Sequence, residues 1–303
     1  MRPPREEHRV GLESVEAATA LLRGVRNAHP TKGLFEAGDL QWRWRTERPT
    51  DSLPQLFWFD ELGRPEAAVI ATDWSGVIAL DPLVMPDASA EWVAHTLRRG
   101  LEHAGESGFE TVELEVDRAD AVTQEMLVGH GFAIKGDGLV ETWLSAGERP
   151  AISTLRDQYR LADRVATASR PHHMAVRSGL AVETRLRQTS LYRPDLDLVV
   201  LDSEGSAAAY GLFWFDPETA TGLVEPIRTE DHHQQRGLAR HVLTSGIDRL
   251  AEAGATRIKI CFEPGNAASR GLYLSAGFQP TAQTDLFSGP TIANDQSRPT
   301  VEP

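Results

Sequence analysis

The same order of helices and strands is predicted twice in this chain, and each series closes with a short helix followed by Gly-Phe. The two closing pairs are Gly131-Phe132 and Gly277-Phe278. In both series, extended runs are followed by a long amphipathic helix, a further strand and the closing helix. This order predicts an α/β (α+β) fold, with two tandem domains that each contain a mixed, twisted sheet flanked by helices.

A short polar segment with Gly and Pro, residues 145–153, separates the two series and is typical of a connection between folded units. In the first series we expect helices at 12–28, 90–104 and 121–130 and strands at 55–60, 67–73, 76–84 and 111–116. In the second we expect helices at 171–178, 236–253 and 267–275, strands at 158–162, 197–201, 207–215, 221–229 and 256–262, and a final pair of strands around 278–287. The predicted domains are residues 1–147 and 152–288, followed by a flexible polar tail at 289–303.

The loop before the long helix of the second series is the strongest functional signal. It reads Gln234-Gln235-Arg236-Gly237-Leu238-Ala239 and lies between a predicted strand and the helix. The first backbone N–H groups of a helix have no intrahelical partner, and the helix dipole adds partial positive charge there. A phosphate at this position gains several hydrogen bonds, and Gly237 allows the backbone to approach it closely.

A second motif follows the next strand. It begins at Asn266 and reads N-A-A-S-R-G-L-Y-L-S-A-G-F. Together the two motifs resemble the GCN5-related N-acetyltransferase (GNAT) family, in which Q/R-x-x-G-x-G/A grips the pyrophosphate of acetyl-CoA and N-x-x-A-x-x-L-Y-x-x-x-G-F follows. The chain departs from the second pattern only at Ser269, where the family usually has alanine. The resemblance covers about residues 155–287 and implies acetyl-CoA as co-substrate and no metal.

The resemblance implies a set of cofactor-binding residues. In the family, the strand before the loop separates from its neighbour, and its backbone binds the pantetheine arm and the thioester. Pro226 supports this separation, because it lacks an N–H and is poorly suited to a central ladder. Arg236 and Arg240 would add charge near the pyrophosphate, although each is equally compatible with a solvent-facing position. Asn266 would contact the cofactor, cap the next helix, or both. The implied residues are Ile227, Arg228, Thr229, Gln234, Gln235, Arg236, Gly237, Leu238, Ala239, Arg240 and Asn266.

Tyr273 is the candidate general acid. When an amine attacks a thioester a thiolate leaves, and a phenol can donate a proton to it. The family's tyrosine at the matching L-Y position has this role. The alternative is a core tyrosine whose hydroxyl is satisfied within the protein.

Glu225 is the best candidate for the general base, because it lies on the separating strand and shares side-chain parity with Ile227 and Thr229. It could instead anchor a cationic amine or serve as a structural acceptor. His232 and His233 have suitable intrinsic pKa values but are typical of exposed loop residues. Cys261 lies in a predicted strand, where packing is its default role. We therefore expect direct transfer without a covalent enzyme intermediate.

The first series lacks these features. The segment equivalent to the loop, residues 84–92, contains neither glycine nor a basic residue, and Asp87 and Glu91 would repel a pyrophosphate. Met126-Leu127 stands where the second series has Leu272-Tyr273. We expect a degenerate domain that does not bind acetyl-CoA. Its aromatic residues are predicted to pack in its core, although they could instead line a cleft; they are Trp42, Trp44, Phe57, Trp58 and Phe59.

Composition limits the partners. A net charge of −13, from 31 basic and 44 acidic residues, argues against nucleic acid and anionic membranes. One cysteine excludes an intramolecular disulfide, and no Cys/His spacing suggests a zinc site. No secretion signal and no run of membrane-spanning length is present, so a cytoplasmic location is expected.

Three functions remain open from the sequence. The first is an acetyl-CoA-dependent N-acetyltransferase (class EC 2.3.1) whose second domain moves an acetyl group directly to a primary amine of a small molecule. A narrower form, suggested by the tandem arrangement of mycothiol synthase-like proteins, would acetylate the amine of a cysteinyl-sugar thiol precursor. The third is a non-catalytic acyl-CoA-binding or scaffold protein. The acceptor, the acyl preference and the oligomeric state are not encoded in these patterns.

Overall fold

The computed structural model describes residues 4–292. In chain order its elements are β1 (Arg5–Arg9), α1 (Leu12–Ala28), α2 (Ala37–Arg43), β2 (Gln55–Phe59), β3 (Pro65–Asp73), β4 (Ile78–Val84), α3 (Ala90–Glu106), β5 (Thr111–Asp117), α4 (Ala121–Gly129), β6 (Ala133–Ser145), β7 (Arg160–Asp163), α5 (Ala175–Ser178), α6 (Val182–Leu186), β8 (Asp197–Leu201), β9 (Ala207–Asp216), β10 (Thr221–Thr229), α7 (Leu238–Ala253), β11 (Arg257–Phe262), α8 (Ala267–Ser275) and β12 (Gln279–Pro290). No helix among these described residues combines the length and apolar character needed to cross a membrane.

The described residues form two compact units that are not continuous in sequence. Unit 1 comprises residues 4–28, 48–138 and 284–292, and unit 2 comprises residues 29–47 and 139–283. The linear division at about residue 150 therefore describes only part of this arrangement. Residues 29–47 precede most of unit 1 in the chain but belong to unit 2, and the end of β12 belongs to unit 1.

In unit 1 the strand order is β1-β2-β3-β4-β5-β12. Neighbours are antiparallel except β4 and β5, which are parallel. Residues 284–290 of β12 pair with residues 111–117 of β5 and complete this sheet. Its core includes Leu56, Trp58, Leu80, Leu97, Leu101, Leu114 and Phe287.

In unit 2 the strand order is β6-β11-β10-β9-β8-β7. Only the β10–β11 pair is parallel. Helix α7 packs closely on the sheet at Gly246, which has no side chain. A Cβ at this position would lie only 2.0 Å from Cζ of Phe213. This close approach buries Leu238, Val242, Leu243, Ile247 and Leu250 in one apolar cluster with β8, β9 and β11. The packing fixes the start of α7 relative to the end of β10, where the candidate site lies.

Most predicted elements are present within one or two residues of their expected bounds. Four elements were not predicted: β1, α2, α6 and the long strand β6. The helix expected at 171–178 covers only Ala175–Ser178, and the final pair of strands is the single strand β12. Gly289 and Pro290, expected to begin a flexible tail, instead pair with Val112 and Thr111 as part of β12. Residues 293–303 lie outside the described residues.

Candidate active site

Strands β10 and β11 run side by side only at their beginnings. Residues 221–223 pair with residues 257–259, whereas the rest of β10 pairs with β9 alone. The ladder to β9 shifts register between Val224 and Ile227, around Pro226. Proline has no N–H to give to a ladder, which explains the irregularity there. The predicted separation is confirmed, and a wedge opens between the later parts of the two strands.

The loop between β10 and α7 leaves a series of backbone N–H groups open. Gly237 precedes α7 with φ of +81°, and no side chain caps the helix. Within residues 4–292, no carbonyl accepts a hydrogen bond from the N–H groups of residues 235–240; the next N–H, of His241, donates to Gly237 O at 3.1 Å. A Cβ on Gly237 would meet no atom within 4 Å, so the space there is open. This geometry suits an anion with several acceptor oxygens, such as a diphosphate.

Both arginines of this loop are fixed by hydrogen bonds. Arg236 donates to Oη of Tyr159 at 2.8 Å and to the carbonyl of His232 at 3.0 Å. Arg240 donates to Oγ and to the carbonyl of Ser275, at 2.8 and 3.3 Å. Two guanidinium groups therefore flank the open N–H groups and add positive charge to the loop.

The histidines that precede the loop differ in their surroundings. Nδ1 of His233 lies 3.0 Å from Oη of Tyr159. The guanidinium of Arg236 donates to the same Tyr159 oxygen at 2.8 Å, so His233 and Arg236 contact one hydroxyl group. His232 is exposed. His233 is thus part of the support of the loop.

The last residues of β10 present a polar atom that needs a partner. Residues 227–229 pair with residues 209–211 of β9, and Arg228 forms ion pairs with Glu230 and Asp231, both at 3.5 Å. The hydroxyl Oγ1 of Thr229 is buried, and among the described residues nothing hydrogen-bonds to it. A buried unsatisfied hydroxyl is unfavourable, so a ligand with hydrogen-bonding groups fits this position.

Glu225 lies where β10 leaves β11. Its backbone carbonyl accepts a hydrogen bond from Nε1 of Trp214 at 3.0 Å, and the Trp42 side chain hydrogen-bonds its carboxylate. Burial, assisted by the nearby charge of Asp39, raises the pKa of Glu225 to about 7. A carboxyl group with this pKa exchanges protons readily near neutral pH, as a general base must.

Tyr273 is a buried residue of α8, 6% exposed. Its ring packs against Phe262 and Phe278, with centroids 6.2 and 6.4 Å away. Burial, together with the charge of Glu225, raises the pKa of Tyr273 to about 12, and a hydrogen bond with Ser269 opposes this shift. The phenol therefore remains protonated at neutral pH and can donate. Ser269, the one departure from the family motif, is thus a neighbour of the candidate acid.

The other predicted residues have simpler positions. Asn266 caps α8, where its side chain accepts from the N–H of Ser269 at 3.0 Å, so the capping role is confirmed. Gln234 and Gln235 are exposed in the loop, and Gln235 has a positive φ of +58°. Burial raises the pKa of Cys261 well above its usual value, so its thiol stays protonated and is a poor nucleophile.

A buried ionic network that no sequence pattern predicted lies beside the wedge. Lys259 of β11 is fully buried and lies 2.9 Å from the Glu141 carboxylate and 3.6 Å from that of Glu36. It also donates to the carbonyls of Gly33 and Leu34. Burial alone would lower the pKa of Lys259, but the surrounding carboxylates raise it. A lysine inside the otherwise apolar run Ile258–Phe262 was the available signal.

Residues 29–47, which were expected to pack in the first domain, contribute Glu36 and the carbonyls of Gly33 and Leu34 to that network. Trp42 and Trp44 lie in or next to α2, within unit 2. Asp39 of α2 is a second carboxyl group near Glu225, and burial raises its pKa to about 6. In contrast, Trp58 is part of the unit 1 core as expected.

One group among the described residues could offer three metal ligands: His172, His173 and Asp197. However, Nδ1 of His172 accepts from the N–H of Met174 at 3.2 Å, which places the proton of the neutral ring on Nε2. Nε2 then donates to Asp197 Oδ2 at 2.9 Å, and the Tyr192 hydroxyl donates to the same oxygen at 2.8 Å. Burial alone would raise the pKa of Asp197, but the two imidazoles hold it well below its usual range. Oδ2 of Asp197 is thus hydrogen-bonded twice, whereas Oδ1 lies 3.0 Å from Nε2 of His173, and among the described residues neither of these two buried atoms has a hydrogen-bond partner.

Unit 1 keeps the strand geometry, but its corresponding helix has a side-chain cap. Its parallel pair β4–β5 is joined only at Ala79 and Glu113. At the start of α3, Ser89 accepts a hydrogen bond from the N–H of Trp92 at 3.2 Å. Leu127, which stands where unit 2 has Tyr273, is fully buried in the core. The Ser89 side chain therefore satisfies one of the N–H groups at the start of α3.

A strand pair that opens beside an uncapped helix start is the framework of the acyl-CoA N-acyltransferase fold, and unit 2 has this arrangement. Residues 160–278 match the model of the acetyltransferase (GNAT) family. The matched residues all lie in unit 2, so it is this unit that is similar to the GNAT family in sequence. No curated protein matches it significantly in sequence.

Solved structures extend the likeness over both units. A tandem GNAT protein from the clavulanic acid biosynthesis pathway matches with a TM-score of 0.67 and 13% identity, over 96% of this chain and 99% of that one. A GCN5-related N-acetyltransferase from Sphaerobacter thermophilus matches with a TM-score of 0.59 and 13% identity, over 97% and 99%. A GNAT-family acetyltransferase from Colwellia psychrerythraea has a TM-score of 0.53 and 12% identity, over 95% and 100%. At such identities the likeness concerns the fold, which is a tandem GNAT fold.

Proposed function

We propose that unit 2 is an acetyl-CoA-dependent N-acetyltransferase that moves an acetyl group directly to a primary amine of a small molecule. Unit 1 is proposed not to bind acetyl-CoA. The observation that carries the proposal is the series of open N–H groups at residues 235–240, directly after a strand that has left its neighbour. We also propose a cytoplasmic location, where acetyl-CoA is available.

The proposed binding mode follows from this geometry. The open N–H groups hold the pyrophosphate, and Arg236 and Arg240 add charge at its margin. The pantetheine arm lies along residues 227–229 in the wedge, where the buried hydroxyl of Thr229 gains a partner. The thioester then lies between the candidate base on β10 and the candidate acid on α8.

The proposed reaction needs three proton transfers. Glu225, ionised above pH 7, takes a proton from the ammonium form of the acceptor, directly or through water. The free amine attacks the thioester carbonyl, the C–S bond breaks, and Tyr273 gives its proton to the departing thiolate. The nitrogen then carries one proton more than the amide, and loss of this proton to the tyrosinate, directly or through water, gives the amide and restores Tyr273. Holding both substrates together supplies much of the acceleration, so no covalent enzyme intermediate is needed.

The test compares the wild type with Gly237→Glu, which places a negative side chain among the open N–H groups. Calorimetric titration with acetyl-CoA is expected to give binding to the wild type and none to this variant. Gly63→Glu is the matched control, because Gly63 also has a positive φ, of +76°, and open space around it, but lies in a unit 1 turn. The control is expected to bind acetyl-CoA as the wild type does.

Thiol release from acetyl-CoA is then measured with a panel of polyamines, amino sugars and amino acids. Release that depends on one amine, and is lost in Gly237→Glu, supports the proposal. Binding without transfer to any amine would favour an acyl-CoA-binding or scaffold protein. A folded wild type that does not bind acetyl-CoA would overturn the proposal.

A further inference from the structure

We propose that Trp42, carried by residues 29–47 from the first third of the chain, is a positioning residue that holds the Glu225 carboxylate in place. The inference rests on the proposed function, since it takes Glu225 as the base. It extends the catalytic centre to a segment far outside the residues that match the family model.

The beginning of this segment is fixed by the buried lysine of β11. Lys259 donates to the carbonyls of Gly33 and Leu34, at 2.9 and 2.5 Å, and pairs with Glu36 at 3.6 Å. Arg257, from the same strand, donates to the carbonyl of Pro30 at 3.0 Å. A buried ammonium cannot lose these partners without a large cost, so the segment is firmly attached there.

Helix α2 then lies directly against the strands that carry the site. A Cβ on Gly38 would be 2.9 Å from Cδ2 of Leu223 and 2.9 Å from Cβ of Trp214. Only a residue without a side chain permits this approach. Leu223 lies two residues before Glu225 on β10, and the Trp214 indole donates to the Glu225 carbonyl at 3.0 Å.

The end of the segment is attached to the loop after α6. Gln41 donates to Oγ of Ser190 at 2.9 Å and accepts from the N–H of Leu191 at 2.8 Å. The Trp44 indole donates to Oε1 of Gln188 at 2.9 Å. The segment is therefore held at three places within unit 2: at β11, at β9 and β10, and at the loop after α6.

Trp42 lies between these attachments and is 8% exposed. The guanidinium of Arg45 stacks on its ring at 3.5 Å and donates to its carbonyl at 3.0 Å, which fixes the ring orientation. The Trp42 side chain hydrogen-bonds the Glu225 carboxylate. Two indoles thus hold Glu225, that of Trp214 at the backbone and that of Trp42 at the carboxylate. Burial and the charge of Asp39 oppose ionisation of Glu225, the charges of Arg45 and Arg43 favour it, and the Trp42 hydrogen bond both favours and directs the ionised form.

The indole N–H resonances provide a test in the wild-type protein. The chain has seven tryptophans, so the indole region of a 1H–15N spectrum contains only seven signals. The Trp42 signal is expected to move with pH, with the same midpoint as the Glu225 carboxyl carbon observed in 13C-glutamate-labelled protein. This movement is expected to disappear in Glu225→Gln, because the titrating partner is gone.

Trp44 supplies the matched control. Its indole also donates to a side-chain oxygen, and the guanidinium of Arg185 stacks on its ring at 3.9 Å, but its partner is the uncharged Gln188. Its signal is expected to stay constant over the pH range in which the Trp42 signal moves. Trp42→Phe and Trp44→Phe assign the two signals, and sequential assignment replaces them if either variant does not fold.

A Trp42 signal that stays constant while the Glu225 carboxyl group titrates would overturn the inference. In the folded variants, Trp42→Phe is further expected to raise the Glu225 pKa by about one unit, since it removes a donor to the charged form, and Trp44→Phe is expected to leave it unchanged. The proposed function fails differently: acetyl transfer would then be absent, or unaffected by Glu225→Gln, whatever the indole signals do.

Discussion

At the scale of single residues, Glu225 derives its proposed role from its surroundings. A carboxyl group in water is ionised at neutral pH and binds protons weakly, whereas burial beside Asp39 brings the Glu225 pKa to about 7. The ionised form is the base, so turnover is expected to fall as the pH drops through 7.

The first prediction is therefore that Glu225→Gln lowers kcat/KM by roughly 10²-fold or more at pH 8 and removes the acidic limb of its pH profile. The measurement is kcat/KM from pH 5.5 to 9 with the amine identified by the panel. Calorimetry with acetyl-CoA serves as the control, and similar affinity is expected. An acidic limb that is the same in the variant and the wild type would exclude Glu225 as the base.

The second prediction concerns Tyr273. Tyr273→Phe removes one hydroxyl from a residue that otherwise packs against Phe262 and Phe278. We expect turnover to fall by roughly 10²-fold, because the thiolate loses its proton donor, while acetyl-CoA affinity changes by less than about twofold. Steady-state kinetics and calorimetry measure the two effects. Equal turnover would leave Tyr273 a packing residue.

Single residues also show which parts of the site could be predicted from the sequence. Gly237, Asn266 and Tyr273 carry local motifs, and their neighbours in sequence are also their neighbours in space. Trp42 and Lys259 carry no motif, because their significance depends on partners more than 90 residues away in the chain, such as Glu225 and Glu36. An unusual residue type, a lysine in an apolar strand, was the one trace of this arrangement.

At the scale of elements, the buried lysine connects β11, β6 and the segment before α2. Glu141 of β6 and Glu36 share its ammonium group in a site from which water is excluded. Removal of the cation would leave two buried carboxylates without their shared counter-ion.

The third prediction is that Lys259→Met lowers the free energy of unfolding by about 3–5 kcal/mol. Lys135→Met is the matched control: Lys135 is half exposed and pairs with Glu113 on the surface, so its loss is expected to cost at most about 1 kcal/mol. Urea denaturation of both variants measures the difference. Equal stability of the two would show that the Lys259 network contributes no more than a surface ion pair.

Elements with strong periodicity were predicted well, and those that depend on tertiary contacts were not. Helix α1 and strand β10 have the predicted bounds. Helix α2 is only seven residues long and contains Gly38, so its stability must come from the strands it packs on. Strand β6 contains Gly136 and Gly138, which weaken the strand signal, and pairing with β11 overrides that preference.

At the scale of the whole molecule, the repeated order of elements correctly indicated a tandem fold. It could not indicate which unit a segment joins, because a linear pattern contains no information on long-range pairing. Residues 29–47 complete unit 2, and residues 284–290 complete the sheet of unit 1. Neither assignment follows the order of the chain.

The two helix starts lead to the last prediction, that each chain binds one acetyl-CoA. In unit 2 the N–H groups of residues 235–240 are open. In unit 1 the Ser89 hydroxyl accepts a hydrogen bond from the N–H of Trp92, and Asp87 and Glu91 add negative charge close by in the sequence. A diphosphate would have to displace the cap and approach two carboxylates there. Native mass spectrometry is expected to detect a single bound acetyl-CoA in the wild type and none in Gly237→Glu. Two bound molecules in the wild type, with one retained in the variant, would show that unit 1 also binds the co-substrate.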